Sequence, residues 1–268
     1  MKTIPIIQHA DKNASKRDYD ALDGRLLVSS IFKTLQGEGP YVGRPAVFLR
    51  LAGCNYGSKT DYCHFCDTSF EVAKGFSLYP DEVIALMTNI MGYRPTDILV
   101  ITGGEPTLQH DLLAVISKVL VSGLFSAVQI ETNGTQPKFF AEAVDQDIAR
   151  RIDWVVSPKA NMRLGKYPNI ADSVLWSAQH FKFVVSADPN NPHHTIPEWA
   201  LAVSDNKTVW VSPMTVYRKA YDGEVSSVWD AELVDQKATA ANYAYAAQYA
   251  LAHNLRLSVQ VHTLTAIA

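Results

Sequence analysis

Hydrophobic patterning along this chain starts late. Residues 1–24 are polar and irregular, rich in Lys, Asp, Asn and Ser, and read as a leader that adds little to a core. From Leu26 the pattern turns strand-like: Leu26 to Phe32 and Ala46 to Leu51 are rich in branched and aromatic residues. A turn-rich loop, Gln36-Gly37-Glu38-Gly39-Pro40, separates them. Strands and helices then alternate. Pro80, Asp81 and Glu82 suit a helical first turn, and Val83, Leu86, Met87, Ile90 and Met91 follow at helical spacing. Ile98 to Ile101 is a continuous apolar run, as in a strand buried on both faces. Leu112, Leu113, Ile116, Val119 and Leu120 mark a second helix that Gly123 is placed to end. Val128 to Glu131, Trp154 to Val156 and Phe181 to Val185 read as strands. A long Ala-rich helix is predicted from about Asp230 to His253, then a last strand over Leu255 to Val261. The alternation predicts an α/β fold, a mainly parallel sheet wrapped by helices, either open or curled into a partial barrel. With no internal repeat and no low-complexity linker, residues 25–268 are expected to form a single domain.

Composition narrows the class only a little. Of 268 residues 47% are hydrophobic and 19% charged, which suits a globular chain able to build its core without staples. A formal charge of −3 gives no field that would draw nucleic acid or an anionic membrane, so neither is an expected partner. No apolar run approaches the ~20 residues that span a bilayer, and Met1 to Gln8 lacks a signal-peptide core. The expected location is therefore the cytoplasm.

Cysteine changes the picture. There are three, an odd number, all within thirteen positions as Cys54-x8-Cys63-x2-Cys66 after a predicted strand. Clustered thiols in a reducing compartment point to a metal or to redox chemistry rather than to disulfides. A zinc site would need a fourth ligand, and the nearest candidate, His64, sits inside the two-residue gap. A [4Fe–4S] cluster on three thiolates would leave one iron open for a small molecule, which suits catalysis. Eight residues in the first gap is unusual for both, so spacing alone leaves both open.

Thr102-Gly103-Gly104-Glu105-Pro106 follows the next predicted strand. Two glycines let backbone approach a ligand closely, and strand C-terminal ends are where parallel sheets place ligands. Cysteines and glycine turn together resemble the radical SAM superfamily, whose GGEP motif binds the amino group of S-adenosylmethionine. Further segments narrow the resemblance: Leu35-Gln36-Gly37-Glu38-Gly39-Pro40, Phe48-Leu49-Arg50-Leu51-Ala52-Gly53-Cys54-Asn55 and Phe65-Cys66-Asp67-Thr68. Glu131-Thr132-Asn133-Gly134, Val156-Ser157-Pro158-Lys159 and Leu257-Ser258-Val259-Gln260-Val261-His262 extend it. From about Leu27 to Ala268 the chain resembles the 7-carboxy-7-deazaguanine synthase family of the queuosine pathway.

That resemblance implies a partial (β/α) barrel of the radical SAM type and a reaction. 6-Carboxy-5,6,7,8-tetrahydropterin would become 7-carboxy-7-deazaguanine with loss of ammonia, through a 5′-deoxyadenosyl radical made from S-adenosylmethionine. It implies Cys54, Cys63 and Cys66 as cluster ligands, and Thr68 as a Mg2+ ligand. Phe65, Cys66, Asp67, Gly104, Ser157, Pro158 and Lys159 would lie along S-adenosylmethionine, with Ser212, Pro213, Met214 and Thr215 as a looser match. Leu35, Gln36, Gly37, Glu38, Arg50, Thr102, His262 and the terminal carboxylate of Ala268 would contact the substrate. A flavodoxin- or ferredoxin-like electron donor and a homodimer are the partners it implies.

Blander readings stand beside these. Thr68 could satisfy a loop, Arg50 could be a surface ion pair and Glu38 a solvated charge. His193 and His194 follow Asp188-Pro189-Asn190-Asn191-Pro192, which reads as an exposed loop, and are left out of the site. Tyr243, Tyr245 and Tyr249 read as packing or a subunit interface. A glycyl-radical activase would share the cysteines and glycine turn but not the Gln36–Glu38 loop, and a zinc-stabilised binding module without catalysis is a rival of another class.

Overall fold

The computed structural model describes residues 22–56, 63, 65–66, 75–91, 98–218 and 230–265. Its strands are β1 (Leu26–Leu35), β2 (Pro45–Leu51), β3 (Phe76–Leu78), β4 (Ile98–Gly103) and β5 (Ala127–Thr132). They continue with β6 (Asp153–Val156), β7 (His180–Val185), β8 (Thr208–Pro213) and β9 (Arg256–Leu257). Among the described residues these nine make one sheet in the order β3-β1-β2-β4-β5-β6-β7-β8-β9. From β2 to β9 every neighbouring pair is parallel, while β1 runs antiparallel to both β2 and β3. The helices are α1 (Pro80–Met91), α2 (Leu112–Ser122), α3 (Pro137–Asp145), α4 (Asp172–Ser177), α5 (Glu198–Ala202), α6 (Gln236–Ala252) and α7 (Val261–Thr265).

The two faces of the sheet differ because side chains alternate along a strand. Val47, Leu49, Leu51, Leu99, Ile101, Val128 and Ile130 point to one face and share a core with Met87, Leu112, Ile116 and Phe140 from the helices. On the other face, near the strand starts, Ala46, Ile98 and Val100 pack with Tyr41 and Phe48 as a small apolar plug. Further along the same face lie Arg50, Thr102, Glu131, Lys182 and Ser212, around a cavity. The loop after β1 closes the far end: Gly43 N–H donates to Gln36 O at 2.7 Å, and Tyr41 Oη donates to Asp153 at the start of β6 at 2.6 Å.

Several elements depart from the sequence reading. β1 runs on to Leu35, past the expected end at Phe32. The expected strand over Leu255–Val261 shrinks to two residues: among the described residues only β8 flanks it, and the chain then turns into α7. The long helix begins at Gln236, not Asp230. Asp230 Oδ1 accepts from Glu232 and Leu233 N–H in a turn, and Asp235 caps the helix by accepting from Ala238 N–H at 3.0 Å. The sequence pattern did not mark β3, β8, α3, α4, α5 or α7. Residues 1–21 of the leader lie outside the described residues, and no helix among those described is long and apolar enough to cross a membrane.

Candidate active site

At the end of β4 the chain must pass hard against β2. A Cβ on Gly103, at φ +137, would sit 2.1 Å from Leu51 O, and one on Gly104 would sit 2.0 Å from Gly53 O and 2.9 Å from Cys54 Cβ. Gly104 N–H donates to Leu51 O at 3.1 Å and Glu105 N–H to Gly53 O at 2.8 Å. The glycine pair therefore seats the Cys54 loop directly on the strand ends, which a side chain would prevent.

Glu105 then locks that corner. Its buried carboxylate accepts from Thr107 N–H (3.0 Å), Thr107 Oγ1 (2.5 Å), Thr132 Oγ1 (2.6 Å) and Asn133 N–H (2.6 Å). Burial pushes its carboxyl up, and the four donors oppose that shift. Asn133 Nδ2 reaches Asn55 Oδ1 at 2.8 Å, and Asn55 Nδ2 reaches Thr135 at 2.7 Å. The glycine turn, the cysteine loop and the Glu131–Gly134 segment are thus one hydrogen-bonded unit. The sequence reading assigned Glu105, Asn55 and Asn133 no role.

The cavity measures about 400 Å3, within the range of small-molecule sites. Cys63, Phe65, Cys66 and Gly104 line one part of it, with Ser157 and Lys159 nearby. Lys159 Nζ donates to Ser157 O and Oγ, both at 2.6 Å, and burial pulls its ammonium below the ordinary lysine value. Ser212, Pro213 and Thr215 line the wall beyond β8. Leu35, Gln36, Gly37, Glu38, Arg50, Thr102 and His262 line the rest. Arg50 lies 5.0 Å over the Phe32 ring, which stacks on Phe48. Gln36 is 3% exposed, and its Nε2 is a buried donor in the cavity wall with no hydrogen-bond partner among the described residues.

Other expected residues fall elsewhere. Pro158 and Met214 do not line the cavity; Met214 is buried, its carbonyl accepting from Asn242 Nδ2 at 2.7 Å. Asp67, Thr68 and Ala268 lie outside the described residues. Among the lining residues that the sequence left without a role, two are charged, Glu131 and Lys182. Alternation along Phe181–Val185 would have turned Lys182 away from its apolar neighbours, a signal that pointed to the polar face. The exposed-loop reading of His193 is corrected: it is fully buried, with its ring edge-on to Phe65 at 5.1 Å and Nε2 accepting from Ala160 N–H at 3.2 Å. Tyr245 packs on His194 at 4.6 Å, in line with the packing role read for it.

The thiols suit an iron–sulfur cluster. Burial pushes the Cys54 thiol up to about 12 and Cys63 to about 11, so ligation rather than pH is what makes such groups thiolates. Among the described residues no three His, Cys, Asp or Glu side chains converge on a single metal ion. A cluster bonds each thiolate at its own iron and needs no such convergence.

Comparison with known proteins agrees. The radical SAM superfamily pattern matches residues 49–155. A 7-carboxy-7-deazaguanine synthase of Rickettsia prowazekii is 33% identical over 94% of this chain and 93% of its own length. One of Rhodospirillum rubrum is 31% identical over 94% and 97%, and one of Bacteroides thetaiotaomicron 34% identical over 68% and 96%. The crystal structure of QueE from Escherichia coli shares the fold, with TM-score 0.58 at 22% identity, covering 92% of this chain and 100% of that one.

Proposed function

This chain belongs to the 7-carboxy-7-deazaguanine synthase family of radical SAM enzymes, and from that premise we propose that its cavity converts 6-carboxy-5,6,7,8-tetrahydropterin to 7-carboxy-7-deazaguanine with loss of ammonia. The observation that carries the reading is the make-up of one cavity: cysteine thiols and the glycine turn at one part, acid- and amide-bearing side chains at the other. Cys54, Cys63 and Cys66 would hold a [4Fe–4S] cluster beside S-adenosylmethionine. When bound and reduced by a flavodoxin- or ferredoxin-like donor, these cofactors would supply the radical chemistry that starts the reaction.

The chain's own residues bind, orient and shield. Gly103 and Gly104 open a path for backbone to meet the methionine end, and Lys159 adds a cation there. Arg50 pairs with the substrate carboxylate as a charge-assisted donor. Gln36 offers its amide N–H to a ring acceptor, and Glu38 accepts from ring N–H groups. The apolar plug below and α7 beside the loop after β1 limit water, which would quench a radical.

Anaerobic reconstitution tests the reading. Iron and sulfide should reach about four each per chain, and S-adenosylmethionine, reductant and the carboxy-tetrahydropterin should yield 5′-deoxyadenosine and the deazaguanine together. Zinc in place of iron, or 5′-deoxyadenosine without deazaguanine at any substrate level, would overturn it. Thr68 is proposed as an oxygen ligand for Mg2+, a hard cation that would help to hold an acidic substrate. Thr68→Ala should then lower turnover more than it lowers S-adenosylmethionine binding. Turnover indifferent to Mg2+ in chelator-treated buffer would remove that role.

A further inference from the structure

Lys182 in β7 belongs to no motif, yet it stands at the charge centre of the cavity. It is 8% exposed, and its Nζ pairs with both Glu38, from the loop after β1, and Glu131 of β5, the latter at 2.8 Å. Gln129 Nε2 donates to the other oxygen of Glu131 at 2.6 Å. Two carboxylates brought this close cannot both stay ionised in a buried site without a cation between them. Ionised, they are acceptors only; once one is protonated it becomes a donor. The other groups within electrostatic reach are Lys159 beyond β6, His262 of α7 and Tyr243 of α6.

We propose that Lys182 is a positioning residue that holds Glu38 and Glu131 as a pair of acceptors, so that the cavity selects a ligand edge carrying adjacent N–H donors. A pterin presents such an edge in its 2-amino group and neighbouring ring N–H, so the inference rests on the substrate reading above and extends it. Lys182 touches the carboxylates rather than reacting atoms. Its effect belongs to substrate affinity and to the pH dependence of that affinity.

Equilibrium binding of 6-carboxypterin, followed by its fluorescence in the reconstituted protein with S-adenosylmethionine, tests this without turnover. Wild type should bind with an affinity little changed between about pH 5.5 and 7.5, since the Lys182 ammonium stands between the two carboxylates. Lys182→Met should bind roughly tenfold or more weakly at the acid end and recover as pH rises, with cluster content and S-adenosylmethionine binding kept. Lys182→Arg should restore wild-type behaviour. If Lys182→Met leaves an unpaired charge that stops folding, Lys182→Met with Glu131→Gln removes one charge of each sign. That double variant should bind weakly at every pH. Wild-type affinity and pH profile in either Met variant would overturn the inference. So would joint loss of cluster, S-adenosylmethionine and pterin binding that Lys182→Arg fails to restore, because Lys182 would then be structural. Wild type failing to bind 6-carboxypterin would overturn the substrate reading and this inference together, whereas binding by wild type and an indifferent Lys182→Met overturns the inference alone.

Discussion

Glu105 lies one residue beyond the glycine pair, and its four donors come from two separate strand ends. Replacing it with Gln keeps the shape but turns one acceptor oxygen into a donor facing N–H and hydroxyl donors. A buried group left unsatisfied costs about 1–3 kcal/mol, so Glu105→Gln should shift anaerobic denaturation by that order. Because Asn133 joins this corner to Asn55, the variant should also release iron faster to a chelator. An unchanged denaturation midpoint would show that the carboxylate does not join the strands. Gly104→Ala acts on the same corner by volume. Its Cβ meets backbone at Gly53 O rather than a side chain that could swing away, so the Cys54 loop must move. Cluster loading should fall steeply, and full loading of Gly104→Ala would refute the seating argument.

At the scale of elements, the site is closed by two pieces far apart in sequence. Val261 N–H, opening α7, donates to Gly37 O at 3.1 Å. A Cβ on Gly37 would come within 2.2 Å of His262 Nδ1, so the His262 ring keeps its place only because Gly37 has no side chain. Gly37→Ala should push the His262 ring out of place and raise the KM for the proposed pterin substrate severalfold, with S-adenosylmethionine binding unaffected. Equal KM values would mean that α7 takes no part in binding. Asn242 of α6 does similar work on the other wall, linking Met214 O and Ala187 N–H, both at 2.7 Å. The segments Ser212–Thr215 and Ser258–His262 matched the family in sequence, but the clamp between β7, β8 and α6 shows only in space.

Across the whole molecule, the polar face of the sheet binds strands together through charge. Burial pushes the Glu38 carboxyl up, but the charges of Lys182 and His262 outweigh it and hold the group down to about 2. A carboxyl whose folded pKa lies below its unfolded value stabilises the fold above the unfolded pKa and loses that contribution as pH falls. Wild type should therefore lose stability between about pH 5 and pH 2, and Glu38→Gln, weaker at neutral pH, should lose less over that interval. Parallel curves would show that this pair does not link β7 to the loop after β1. The sequence alone determined the α/β alternation, because buried parallel strands demand continuous apolar runs and wrapping helices demand helical spacing. It also determined the cysteine and glycine motifs, because local covalent spacing and freedom from a Cβ are properties of short segments. It could not determine where β9 stops, that His193 is buried, or that Glu38, Glu131 and Lys182 meet. Those follow from which strands become neighbours, and a charge pair between residues 38 and 182 exists only once β1, β5 and β7 share one sheet.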